Sequence, residues 1–136
     1  MKKYEIGLYE KAMRNTLTWK EKLQCAKECG YDYLEISIDA TEEKINRIYM
    51  DTEEKREIME AIFDTGIPIG SMSVSALTKY ALGDPDQAVR DRGMEIAEKS
   101  IQLSSALGVR TVMIPGYDIY YGCLLYTSPS PRDGLL

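Results

Sequence analysis

Polar and apolar positions along the chain follow two alternating periods. Short, mostly apolar runs at Tyr4 to Leu8, Tyr33 to Ser37, Ile69 to Ser75 and Arg110 to Ile114 predict four strands. Between them, apolar residues recur every three or four positions, the spacing of one helical face. Trp19, Leu23 and Ala26 form the predicted buried stripe of the first helix. Ile58, Ile62 and Phe63 form that of the second, and Met94, Ala97 and Ile101 that of the third. A shorter polar helix is predicted over Thr41 to Ile48.

The helix ends carry their own signals. Thr18 with Glu21, and Asp51 with Glu54, have the spacing of a capping box, in which side chain and backbone satisfy each other reciprocally. Asp84 followed by Pro85 reads as the start of the third helix, a cap and then a residue whose missing N–H is not needed there. Gly30, Gly66 and Gly108 stand where the helices stop, the position that favours a left-handed backbone. The stretch Ala76 to Gly83 reads as a long loop between strand and helix.

A strand followed each time by a helix long enough to cross over predicts a parallel sheet with right-handed connections. The chemistry of such sheets gathers at the carboxyl ends of the strands. Those ends carry Tyr9 and Glu10, then Glu35, Ser37 and Asp39, then Ser73 and Ser75, then Tyr117 and Asp118. Glu35 is the foremost candidate, a charge ending an otherwise apolar strand, where burial is costly without a partner. It serves either a ligand pocket and its loops or an ion pair at the rim. Tyr9, Ser75 and Tyr117 either line a substrate mouth or pack as ordinary tyrosines and loop hydroxyls. Asp118 equally suits a turn after Pro115 and Gly116.

Charge and composition narrow the partners. A net charge of -5 argues against nucleic acid and against an anionic membrane, since both select basic faces. A phosphorylated small molecule needs only a few local donors and is compatible. No segment reads as a signal peptide and no apolar run spans a bilayer, so the cytoplasm is the expected compartment. Three cysteines show no metal-ligand spacing; Cys25 and Cys29 share a helix face and read as small packed thiols. The Lys/Glu-rich stretch Asp51 to Glu60 reads as a solvated face. Glycine-rich nucleotide loops are missing, which argues against a nucleotide cofactor.

Several strings in fixed order resemble the L-ribulose-5-phosphate (L-xylulose-5-phosphate) 3-epimerases of the ascorbate-utilisation type, within the xylose-isomerase-like barrel superfamily. They are Gly7 to Ala12 (GLYEKA), Gly30 to Asp39 (GYDYLEISID), Thr65 to Ala76 (TGIPIGSMSVSA), Leu82 to Asp84 (LGD) and Pro115 to Tyr121 (PGYDIYY). The resemblance covers Met1 to about Tyr121, the first half of a family member. It implies an α/β fold: the N-terminal half of a (β/α)8 barrel, four parallel strands with three main helices. It implies a parent enzyme that binds a divalent metal ion and inverts C3 of a ketopentose 5-phosphate. In that chemistry a carboxylate takes the C3 proton next to the C2 carbonyl, the metal stabilises the enediolate, and a second carboxylate returns the proton. The family's metal ligands, two glutamates, an aspartate and a histidine, come from the second half of the barrel. This chain has no histidine, so no catalytic or metal residue carries over. Family members usually show a His-Arg pair where Leu77 and Thr78 stand here, which puts the sugar preference in question; Lys79 offers one nearby positive charge.

The expected partner is therefore a small sugar phosphate, bound by Glu35, Tyr9, Ser75 and Tyr117. The oligomeric state of the parent stays open, a homo-oligomer included. Two alternatives remain: a related sugar isomerase of the superfamily, and a non-catalytic half-barrel whose strand edges bind a second copy. From Cys123 the pattern lapses, and CLLYTSPSPRD resembles a translated sequencing adapter. The expected organisation is thus 1–122 as the barrel half and 123–136 as an unstructured tail without function, the fragment itself being inactive.

Overall fold

The computed structural model describes residues 4–116. The elements in order are β1 (Gly7–Tyr9), a 3-10 turn (Glu10–Ala12), α1 (Trp19–Glu28) and β2 (Tyr33–Ser37). Next come α2 (Glu42–Ile45), a 3-10 turn (Asn46–Tyr49), α3 (Thr52–Thr65) and β3 (Ile69–Ser73). A third 3-10 turn (Ser75–Thr78), α4 (Gln87–Ala106) and β4 (Thr111–Met113) complete the described part. The four strands form one parallel sheet in sequence order.

The strands sort their residues by face. Leu34, Ile36 and Met72 join Leu23, Ala26, Ile58, Ile96 and Leu103 in one core between sheet and helices. The other face carries Tyr9, Glu35, Ser37, Ser71 and Ser73, linked by the pairs Tyr9 with Glu35, Glu35 with Ser71 and Ser37 with Ser73. Register slips by one residue between Leu34 and Glu35, which pair with Ile69 and Ser71 and leave Gly70 as the extra residue. A bulge of this kind re-aims side chains. It lets both Ile69 and Met72 reach the helix side. Gly70 and Gly7 leave room for the Tyr33 ring, which lies where a Cβ on either glycine would sit.

Both capping boxes are present with both of their hydrogen bonds. Gly30, Gly66 and Gly108 all take positive φ, between 71° and 80°. Other expectations are corrected. β1 begins at Gly7 rather than Tyr4, and Tyr4 and Ile6 are exposed. β3 ends at Ser73, where the backbone turns into the 3-10 turn, so Ser75 is not a strand residue. α4 starts at Gln87, not at Asp84 and Pro85. Asp86 is its cap and accepts from the Ala88 N–H, while the Asp84 carboxylate accepts from the Asp86 N–H.

Trp19 is only half-buried. In α3 Ile58 is buried as expected and Ile62 packs against the core, but Phe63 is 89% exposed and Ala61 is buried in its place. Met94 and Ile101 are also exposed, and α4 turns Ile96, Ala97, Ser100 and Leu103 inward. In these helices a stretch rich in apolar residues leaves the angle of the face loosely fixed, and packing against the sheet decides it.

Candidate functional site

The carboxyl ends of β1, β2 and β3 meet around one lysine. Lys11 lies in the turn after β1, and its Nζ is 3.2 Å from Asp39 Oδ2. It also donates to Ser75 Oγ at 3.4 Å and lies 5.8 Å from the centre of the Tyr9 ring. Three successive strand ends thus converge on a single ammonium. Its side chain remains 40% exposed, against 17% for Asp39. Asp39 is fixed from the other side by Thr41, whose N–H and hydroxyl both donate to Oδ1, at 2.9 and 2.7 Å. Burial alone would raise the pKa of Asp39, but the bonds from Thr41 and the Lys11 ammonium hold it below its ordinary value. Burial would likewise depress Lys11, and Asp39 and Tyr9 more than offset it, so its pKa is raised. Lys11 is therefore a fixed cation near neutral pH.

The predicted residues surround this point. The Tyr9 hydroxyl and Ser37 Oγ are 3.1 Å apart across the β1–β2 seam. Glu35 accepts a 2.6 Å hydrogen bond from the Ser71 hydroxyl, one strand over on the same face. It forms no ion pair among the described residues. Ser75 opens the 3-10 turn, accepts from Lys11 at Oγ and receives the Thr78 hydroxyl at its carbonyl, 2.8 Å away. Tyr117 and Asp118 lie outside the described residues. Leu77 is buried in the core, so this position offers nothing to a ligand. Lys79 lies over the Tyr80 ring, 5.2 Å from its centre.

Behind Lys11 sits a second charged group that pattern reading did not single out. The Glu10 side chain is fully buried. Its Oε1 accepts from Lys44 Nζ at 2.9 Å, from the Ser37 N–H at 3.0 Å and from Arg47 Nη1. Its Oε2 accepts from Lys22 Nζ at 3.4 Å. Burial would raise the Glu10 pKa, but Arg47, Lys44 and Lys22 overcome it and the carboxyl stays below its ordinary value. Burial pushes Lys22 down, helped by the neighbouring Arg47 and Lys44 and opposed by Glu10. Trp19 lies against the cage, with the Lys22 ammonium and the Arg47 guanidinium each 4.8 Å from its ring.

Comparison with known proteins fits this arrangement of strands. A model of the Xylose isomerase-like TIM barrel matches residues 23–133. The chain belongs to that family. Over 121 residues it is 40% identical to the putative L-ribulose-5-phosphate 3-epimerase SgbU of Escherichia coli K12, covering 89% of this chain and 42% of that protein. It is also 40% identical, over 120 residues, to the L-ribulose-5-phosphate 3-epimerase UlaE of Escherichia coli O139:H28, covering 88% of this chain and 42% of UlaE. The chain thus spans less than half the length of these curated relatives. Among solved structures, D-psicose 3-epimerase in the presence of D-fructose superposes with a TM-score of 0.64 at 17% identity, over 80% of this chain and 36% of that one. The 3-keto-D-glucoside 4-epimerase YcjR of E. coli gives 0.62 at 21%, over 96% and 44%. These likenesses establish the fold: the parallel sheet is part of a barrel, and the face away from the helices is the barrel interior.

Proposed function

We propose that this chain is the N-terminal part of a sugar-phosphate 3-epimerase that interconverts L-ribulose 5-phosphate and L-xylulose 5-phosphate. The observation that carries the reading is the Lys11 ammonium, held where three barrel strands end, in a chain 40% identical to L-ribulose-5-phosphate 3-epimerases. An exposed cation braced by Asp39 and Ser75 suits a phosphate, which accepts charge-assisted bonds from lysine as a point charge. Tyr9 and Ser37 offer hydroxyls to the sugar, and Glu35 offers a carboxylate that can accept from a sugar hydroxyl in exchange for Ser71. These groups bind and orient.

Inversion at C3 also needs a base, an acid and, in our reading, a divalent metal to stabilise the enediolate. No set of three or more His, Cys, Asp or Glu among the described residues is placed to hold a metal. The described strands therefore do not fit that group, and the reaction belongs to the whole protein.

The test is the intact protein with L-ribulose 5-phosphate in D2O. We expect L-xylulose 5-phosphate to form with deuterium incorporated at C3. A metal-supplemented protein that leaves the C3 proton untouched overturns the reading.

A further inference from the structure

Glu10 and Lys11 are neighbours in one short turn and point to opposite environments. Lys11 reaches the mouth, while Glu10 enters a closed cage of Lys22, Lys44 and Arg47. Neutralising one carboxylate does not require three cations. Nor is such a cage a cheap source of stability, because desolvating buried charges offsets most of their attraction. What the cage does supply is geometry, since the carboxylate ties α1, α2 and the Asn46–Tyr49 turn to one point.

The backbone shows the same role. At the end of β2 the Ile38 N–H bonds to the β3 side, at Ser73 O. The preceding Ser37 N–H faces the β1 side, but β1 has already ended at Tyr9. The Glu10 carboxylate accepts that N–H in place of a strand carbonyl, at 3.0 Å. Arg47 completes the joint by donating to both Glu10 Oε1 and Ser37 O. The chain can therefore leave the sheet one residue after Tyr9 and still be anchored to β2.

We propose that Glu10 is a positioning residue: its caged carboxylate locks the turn after β1 and thereby presents Lys11 at the barrel mouth to the phosphate of the substrate. The proposal rests on Lys11 taking that phosphate, as read above. Glu10 itself touches no substrate; its effect on binding passes through Lys11.

A double-mutant cycle on the intact protein tests this, with inorganic phosphate as probe in titration calorimetry and with the KM for L-ribulose 5-phosphate as second readout. Glu10→Gln should weaken phosphate binding about tenfold when Lys11 is present and about twofold or less in the Lys11→Met background, a coupling typical of residues acting through one contact. KM should rise while kcat holds, because ground-state and transition-state binding are lost together. Equal weakening in both backgrounds, or none in either, overturns the proposal. Arg47→Lys guards against a misfolded Glu10→Gln. It keeps the charge and loosens the joint to Ser37, and it should repeat the Lys11-dependent loss; a loss independent of Lys11 again overturns it. Trp19 is the only tryptophan and lies on the cage, so its emission reports whether the cage is intact in each variant. Should Lys11→Met alone leave phosphate binding unchanged, the phosphate reading fails and this proposal with it. Should Lys11→Met weaken binding while Glu10→Gln does not, only the positioning role fails.

Discussion

At the residue scale the central object is a buried anion that holds three cations. Glu10 has a folded pKa below its ordinary value of 4.5. A depressed carboxylate contributes its stability in full above the unfolded pKa and loses it as pH falls through the folded one. Glu10→Gln should therefore destabilise the protein by about 3–5 kcal/mol at neutral pH, where it leaves Lys22, Lys44 and Arg47 facing each other without a counter-charge. The gap between wild type and variant should shrink as pH is lowered below about 4.5, measured by urea unfolding between about pH 7 and pH 3. A gap independent of pH would contradict the cage. Strand periodicity pointed to Tyr9 and Glu35 as strand residues near the carboxyl ends, and Ser75 came within reach of Lys11 from a 3-10 turn rather than from the strand expected for it. Glu10 was legible only as one more residue at the end of the first strand, and Lys11 was not singled out at all. No periodicity forecasts that Lys22 and Lys44 lie under 5% exposed. Their burial follows from a carboxylate supplied by a distant element.

At the element scale most helix ends were legible, and the helix faces only in part: Leu23, Ala26, Ile58 and Ala97 are buried as expected, while Phe63, Met94 and Ile101 are not. Thr18 with Glu21 and Asp51 with Glu54 form their boxes because capping is local chemistry. The angle of α4 is tertiary. Gly93 faces the backbone carbonyl of Tyr80, and a Cβ there would overlap it. That close approach seats α4 against the segment after β3 and turns Met94 and Ile101 outward. Gly93→Ala should cost about 1–3 kcal/mol through overpacking, although alanine is the better helix former. Thermal unfolding checks it: a variant as stable as wild type would mean that α4 does not depend on this contact. The bulge at Gly70 was illegible for a related reason. The string IGSMS is compatible with one uninterrupted alternation, and only the pairing with β2 reveals the slip.

At the scale of the whole molecule, the repeat of strand, helix and glycine made the parallel sheet legible, and the family match places it in a barrel. In the proposed reading the described strands supply groups that bind and orient, and the chain spans 42% of the length of the epimerases SgbU and UlaE. Specificity for a phosphorylated sugar should then reside in this half, whatever supplies the chemistry. The direct measurement is the ratio of kcat/KM for L-ribulose 5-phosphate to that for unphosphorylated L-ribulose, in the intact protein and in Lys11→Met. The account predicts a strong preference for the phosphate in wild type and its reduction by about tenfold or more in the variant, as expected for loss of a charge-assisted contact. An unchanged ratio would contradict it.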